Sequence, residues 1–177
     1  MISNKGELRE WLAYERKLYP ADSRIFRYLT YLRKSEYHYN LQKTSNIYVY
    51  IYHRIAYWLV NHRREKLGCL LGFEIGLNTC KRGLRIFHVG NIIIHSSAQI
   101  GENCTIIGTT CLGKKGKENA PHIGKDCELG MNSVLLGDVT IGNHVYIGAG
   151  AVVTKSFPED NIVVAGVPAR KIKNLLD

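Results

Sequence analysis

The sequence predicts a mainly β fold in which a parallel β-helix follows a small α-helical domain, and three observations carry that prediction. An aliphatic residue recurs at every sixth position through the second half of the 177-residue chain. The net charge of +9 is confined to residues 1–85, which hold 16 lysines and arginines against seven acidic residues, whereas residues 86–177 hold eight of each. Apolar residues at helical spacing occur in that same basic half. Together these divide the chain into a helical part, expected at 1–70, and a repeat-bearing part, expected at 71–177.

Residues 5–19 read as a first helix, with Leu8, Trp11, Leu12 and Leu18 on roughly one face and Pro20 ending it. Asp22 or Ser23 can cap a second helix, whose Ile25, Leu29 and Leu32 are spaced by four and three. Ser45 can cap a third, where Ile47, Ile51, Ile55, Trp58 and Leu59 form an apolar stripe. Gly68 fits its C-terminal stop, with Arg63, Arg64 and Lys66 toward the negative end of the helix dipole. Ten of the eleven tyrosines fall between residues 14 and 57. Packing between helices and at a subunit interface is their simplest use; contact with a membrane surface or a glycan is the alternative.

The repeat runs Ile94, Ile100, Ile106, Leu112, skips 11 residues, and resumes in step at Ile123, Leu129, Leu135, Ile141, Ile147 and Val153. Four positions after these aliphatic residues, up to Ile147, stands a small or β-branched one, as at Ala98, Cys104, Thr110, Cys127, Ser133, Val139, Val145 and Ala151. A period of six matches neither a helix nor a hairpin strand. It fits a β-helix in which each short strand sends one large side chain into a triangular interior, three hexads making a coil. Glycines follow the aliphatic residue at 101, 113, 124, 130, 142 and 148, where tight turns are expected. The skipped residues imply a loop at about 114–120 projecting from one corner, polar as a protruding loop should be.

Composition excludes several classes. The five cysteines are odd in number and form no C-x-x-C pair, so reduced thiols of a cytoplasmic protein are expected, with no disulfide framework and no metal site. Residues 1–9 carry no apolar signal-peptide core, and the most apolar stretch, 47–60, is too short and too polar to span a bilayer. No nucleic-acid motif accompanies the basic residues, so no nucleic-acid partner is expected.

The hexads resemble those of the left-handed β-helix (hexapeptide-repeat) acyltransferases, and the handedness comes from that resemblance. The closing Val164-Ala165-Gly166-Val167-Pro168-Ala169-Arg170-Lys171 resembles the family's acetyl-coenzyme A-binding end. Gly83-Leu84-Arg85-Ile86-Phe87-His88, followed by Asn91-Ile92-Ile93-Ile94, resembles the catalytic coil of serine acetyltransferases and their polysaccharide-modifying relatives. The similarity covers about residues 72–173.

The resemblance implies acyl transfer from acetyl-coenzyme A to a hydroxyl. An alcohol is a poor nucleophile at neutral pH and needs a base, for which imidazole is suited. Of the seven histidines the resemblance points to His88. Glu74, 14 residues upstream and so about one coil earlier, is the candidate carboxylate to orient it, expected on the neighbouring coil below the imidazole. Phe87 and His122 are placed beside the acceptor. Gly113 is the candidate backbone donor to the thioester oxygen. Gly130 and Ala149 match positions lining the pantetheine arm, beside which Met131 stands where many relatives have a small residue, and Lys155, Pro168, Arg170 and Lys171 are expected near the phosphate and adenine end. No metal is required. His38, His53 and His62 read as surface or interhelical residues, and His95 and His144 as turn residues.

Two positions depart from the serine enzymes. Phe87 stands where they typically carry an Asp that pairs the amino acid's ammonium group, and Ala120 where they have a second His before the loop-closing Pro121. A sugar hydroxyl, free or lipid-linked, is therefore the expected acceptor, in surface polysaccharide biosynthesis. Serine O-acetylation, a noncatalytic trimeric scaffold and a basic binding module are the alternatives. The family implies a homotrimer with active sites between adjacent β-helices. The basic helical part is the expected place of any peripheral membrane contact.

Overall fold

The computed structural model describes residues 1–117 and 119–175, and the chain divides into two compact units, Met1–Leu71 and Gly72–Asp177.

The first unit holds three helices, α1 (Lys5–Arg16), α2 (Arg24–Asn40) and α3 (Ile47–Leu71). Asn4 and Ser23 cap the first two, their side-chain oxygens accepting from the backbone N–H of Glu7 and Phe26. Helix α1 stops before the expected residue 19, and the Arg16 guanidinium donates to the carbonyls of Tyr19 and Pro20. The cap of α3 is Asn46 rather than Ser45: its Oδ1 accepts from the backbone of Tyr48 and Val49. That helix also runs through Gly68 and ends where Gly72 takes φ +77, a left-handed conformation that glycine adopts without steric cost. Leu8, Tyr28, Leu29 and Leu32 are buried. Among them lies a buried ion triad, Arg33 meeting Glu15 at 2.7 Å and Glu36 at 3.0 Å with its guanidinium over the Trp11 ring. His38 and His53 join α2 to α3 through ring nitrogens 2.9 Å apart. The stripe of α3 that the sequence marks as apolar is exposed; it is His53, Gly68 and Leu71 that are buried.

The second unit is a parallel β-helix of about five coils, wound in the left-handed sense. Face A carries β1 (Phe73–Ile75), β3 (Ile92–Ile94), β6 (Thr110–Gly113), β9 (Ser133–Leu136) and β12 (Val152–Val153). Face B carries β4 (Gln99–Ile100), β7 (His122–Ile123) and β10 (Thr140–Ile141). Face C carries β2 (Arg85–Ile86), β5 (Thr105–Ile106), β8 (Glu128–Leu129), β11 (Tyr146–Ile147) and β13 (Ile162–Gly166). The chain closes on face C with β14 (Ala169–Asn174), antiparallel to β13 after a cis Val167–Pro168 bond.

Every aliphatic residue of the hexad series and every small partner named with it is buried, which is the triangular core. The loop expected at the break leaves after β6 and returns at β7. The tight turns differ from expectation. At the corner between faces B and C the left-handed residues are Gly83 in the first coil and then Asn103, Asp126, His144 and Asn161, residue types that tolerate positive φ. The hexad glycines serve close stacking instead: a Cβ on Gly124 would lie 2.4 Å from the carbonyl oxygen of Gly142 on the next coil.

Candidate active site

His88 follows β2 at the corner where face C turns into face A. Its backbone N–H donates to the Ile107 carbonyl at 3.2 Å, and that of Phe87 to Ile106 at 3.0 Å, so the next coil fixes both Cα positions. Both side chains are exposed, Phe87 by 44%. Arg85 lies on the same side of the strand as Phe87 and lays its guanidinium over that ring, 4.4 Å from the centroid.

Below His88 the same corner repeats in each coil as Gly108, Gly130–Met131, Gly148–Ala149 and Ala165–Gly166. Backbone bonds from Ile107 to Leu129, Gly130 to Ile147 and Gly148 to Val164 hold these rungs in register. At the usual spacing of neighbouring strands, the five rungs span about 19 Å. The strip is lined by small residues, and Met131 is its one large side chain. The Met131 methyl lies 3.1 Å from where a Gly108 Cβ would stand, and the His88 Cβ 3.8 Å from that same point. Met131 and His88 thus flank Gly108. Gly108 escaped the sequence reading because it sits two residues after its hexad aliphatic, where Gly130 and Gly148 sit one after theirs.

Glu74 is exposed on β1 and registers with Ile93, not with His88. One coil here advances 19 residues, from Glu74 to Ile93, so the 14 residues between Glu74 and His88 are short of a full coil. The two residues border one turn: a Cβ on Gly72 would lie 2.7 Å from the Gly90 carbonyl oxygen, and Glu74 and His88 each stand two residues from that contact.

Gly113, His122 and Lys155 occupy the other edge of face A, at its corner with face B. Within one chain they do not meet His88. Gly113 ends β6 and its carbonyl accepts from Gly137. His122 opens β7 and is exposed, and the Lys155 ammonium lies over the Phe157 ring. At the foot of the His88 corner, β14 pairs Arg170 with Ala165 and Lys171 with Val164. Arg170 and Pro168 are exposed. Lys171 is engaged in an ion pair with Glu159, so of these two cations Arg170 is the one exposed without such a partner among the described residues. His95 and His144 are turn residues as expected: His95 Nδ1 accepts from the Ser97 backbone, and His144 faces Asp126 at 3.2 Å.

Residues 120–155 match the family model described as bacterial transferase hexapeptide (six repeats). The chain thus carries the hexapeptide repeats that this family model describes. It is 41% identical over 105 residues, 58% of this chain, to an Escherichia coli (strain K12) protein provisionally named colanic acid biosynthesis acetyltransferase WcaB. It is 33% identical over 132 residues, 68% of this chain, to the serine acetyltransferase of Synechococcus elongatus. It spans 64% of the first relative and 54% of the second, less than two thirds of either. Among solved structures, the serine acetyltransferase of Neisseria gonorrhoeae matches with a TM-score of 0.74 at 23% identity, over 98% of this chain and 69% of that one. The Brucella abortus enzyme in complex with coenzyme A matches with a TM-score of 0.68 at 24% identity, over 94% of this chain and 66% of that one. At those identities the likeness carries the fold.

Proposed function

We propose that this hexapeptide-repeat protein is an O-acetyltransferase that moves an acetyl group from acetyl-coenzyme A to a sugar hydroxyl in surface polysaccharide biosynthesis. The observation that carries the reading is the corner strip, an exposed imidazole at its head, small residues along it and the Arg170 guanidinium at its foot. An extended pantetheine arm is a polar, flexible chain ending in a thioester at one end and phosphates at the other. The strip offers flat backbone for the arm, Gly130 and Ala149 beneath it, Met131 at its side and a cation for the phosphates.

In this reading one ring nitrogen of His88 takes the acceptor's hydroxyl proton as its oxygen attacks the thioester carbonyl, and returns that proton to the departing sulfur. Glu74 orients the imidazole across the shared turn. Phe87 gives the acceptor a ring face in place of the carboxylate that an ammonium group requires. The WcaB likeness favours a sugar. The serine acetyltransferase likenesses favour serine, against which stand Phe87 and Ala120.

A homotrimer explains why the nominated residues fall on opposite edges of face A. Three copies related by rotation bring the A–B corner of one, with Gly113, His122 and Lys155, toward the A–C corner of the next, with His88. The test is thiol release from acetyl-coenzyme A with a panel of sugars and with serine, for the wild type and His88→Ala. Sugar-dependent turnover that falls roughly 10²–10⁴-fold in the variant is expected. Serine-dependent turnover would replace the acceptor, and unchanged turnover would remove His88 from the mechanism.

A further inference from the structure

Helix α3 turns large apolar side chains outward. Tyr48, Ile51, Tyr52, Ile55, Trp58 and Leu59 are all exposed, Tyr48 by 82%, Trp58 by 67% and Tyr52 by 63%. At 100° per residue they occupy one arc of about 120°. Arg54 borders that arc on one side and Arg63 on the other, and Lys66 continues it one turn further on; all three are exposed. The opposite side of the helix is the buried one, with His53, Gly68 and Leu71. A patch of this size is not left to water without a partner.

We propose that this face of α3 lies flat in the headgroup boundary of an anionic lipid bilayer. The apolar stretch 47–59 is about 20 Å long, too short to cross a bilayer and long enough to lie along it. Among the described residues no helix is long and apolar enough to span. Tryptophan and tyrosine favour the water–lipid boundary, and arginines at the edges of the arc reach phosphate while their stems stay apolar. Charge decides between lipid and a second copy of the same face. Residues 1–71 hold 13 lysines and arginines against six acidic residues, and Glu65 is the one carboxylate on α3. Pairing the face with itself brings together two faces on which Arg54, Arg63 and Lys66 outweigh Glu65, whereas anionic headgroups complement both the apolar arc and its net positive border. The proposal stands on α3 and does not depend on the acceptor or on acetyl transfer.

The test sediments the full chain with vesicles of phosphatidylcholine alone and of phosphatidylcholine mixed with phosphatidylglycerol. Binding to the mixed vesicles, weakened by salt, is expected, with a blue shift of Trp58 emission in a Trp11→Phe background. Ile55→Asp, at an exposed position, is expected to keep its far-ultraviolet dichroism and its thiol-release activity in solution while binding vesicles roughly tenfold more weakly or worse. Ile51→Asp repeats the test should Ile55→Asp fail to fold. Arg54→Glu with Arg63→Glu should remove the preference for the anionic vesicles. Failure of the wild type to bind mixed vesicles, or binding that Asp at 51 and 55 leaves unchanged, overturns the proposal. So does a wild type that ignores vesicles but self-associates through this face, with the association abolished by Ile55→Asp.

Discussion

Gly130 and Gly108 lie on successive rungs of the same corner, and they should respond differently to alanine. A Cβ at Gly130 would meet the Ala149 nitrogen and the Ile147 oxygen at 2.6 Å, both backbone. Neither can yield without opening the bond that Gly130 donates to Ile147, so Gly130→Ala is expected to cost about 1–3 kcal/mol in denaturant unfolding. At Gly108 the nearest atom is the Met131 methyl at 3.1 Å, the free end of a flexible side chain. Gly108→Ala should leave stability within about 1 kcal/mol of wild type and instead raise KM in the thiol-release assay, because it crowds the strip beside His88. Equal stability losses would contradict this account of the corner. Legibility at this scale was uneven. Hexad residues announce themselves because a β-helix repeats their environment every coil. The placement of Glu74 relative to His88 was not legible, because the irregular turns around Gly83 and Gly90 lie outside the repeat and alter the count of residues per coil.

Helices α1–α3 show what spacing reveals and what it leaves open. The three helices were legible, and Ser23 was legible as a cap, because local hydrogen bonds decide both. The buried face of α3 was not. A stripe of Ile47, Ile51 and Ile55 marks an apolar face without saying whether protein or another phase covers it, and α3 is buried instead through His53, Gly68 and Leu71. The His38–His53 pair that follows makes the helical unit acid-sensitive. Their ring nitrogens, 2.9 Å apart, share one hydrogen, one ring donating and the other accepting. Burial pushes both imidazoles below the ordinary 6.5, and in His38 the neighbouring His53 and Lys34 add repulsion. The unfolded chain therefore binds more protons near neutrality, so the pair's contribution is complete above about pH 6.5 and is lost as the pH falls below it. Melting followed by the helical signal should show Tm falling between about pH 7.5 and about pH 5.5. In His38→Gln, which keeps a neutral partner for His53, the fall should be smaller. An identical fall would exclude the pair as the acid-sensitive element.

Across the whole molecule, the charge and the repeat are separate devices. The acidic and basic residues of 86–177 balance, so under the proposed function coenzyme A would be met by a few placed cations and not by a general field. On face A of the second unit, four successive outward rungs above Glu74 are apolar. Ile93, Cys111, Val134 and Val152 are register partners across β3, β6, β9 and β12 and point away from the core, their chain neighbours being buried. A parallel sheet is stable with both sides covered, and an outward apolar ladder of four rungs calls for a cover of its own shape. A second copy supplies it in the proposed trimer, and the same packing is what would bring His122 and Lys155 of one copy toward His88 of another. Val134→Asp places a carboxylate at the middle of that ladder without touching the interior, where Ser133 and Leu135 are the buried neighbours. The expected result is a lower sedimentation coefficient, native β dichroism, and loss of thiol release although His88 is intact. A variant that sediments as a smaller species and keeps full turnover would show that one chain holds the whole site, and the split of candidate residues between two corners would then exclude Gly113, His122 and Lys155 from it.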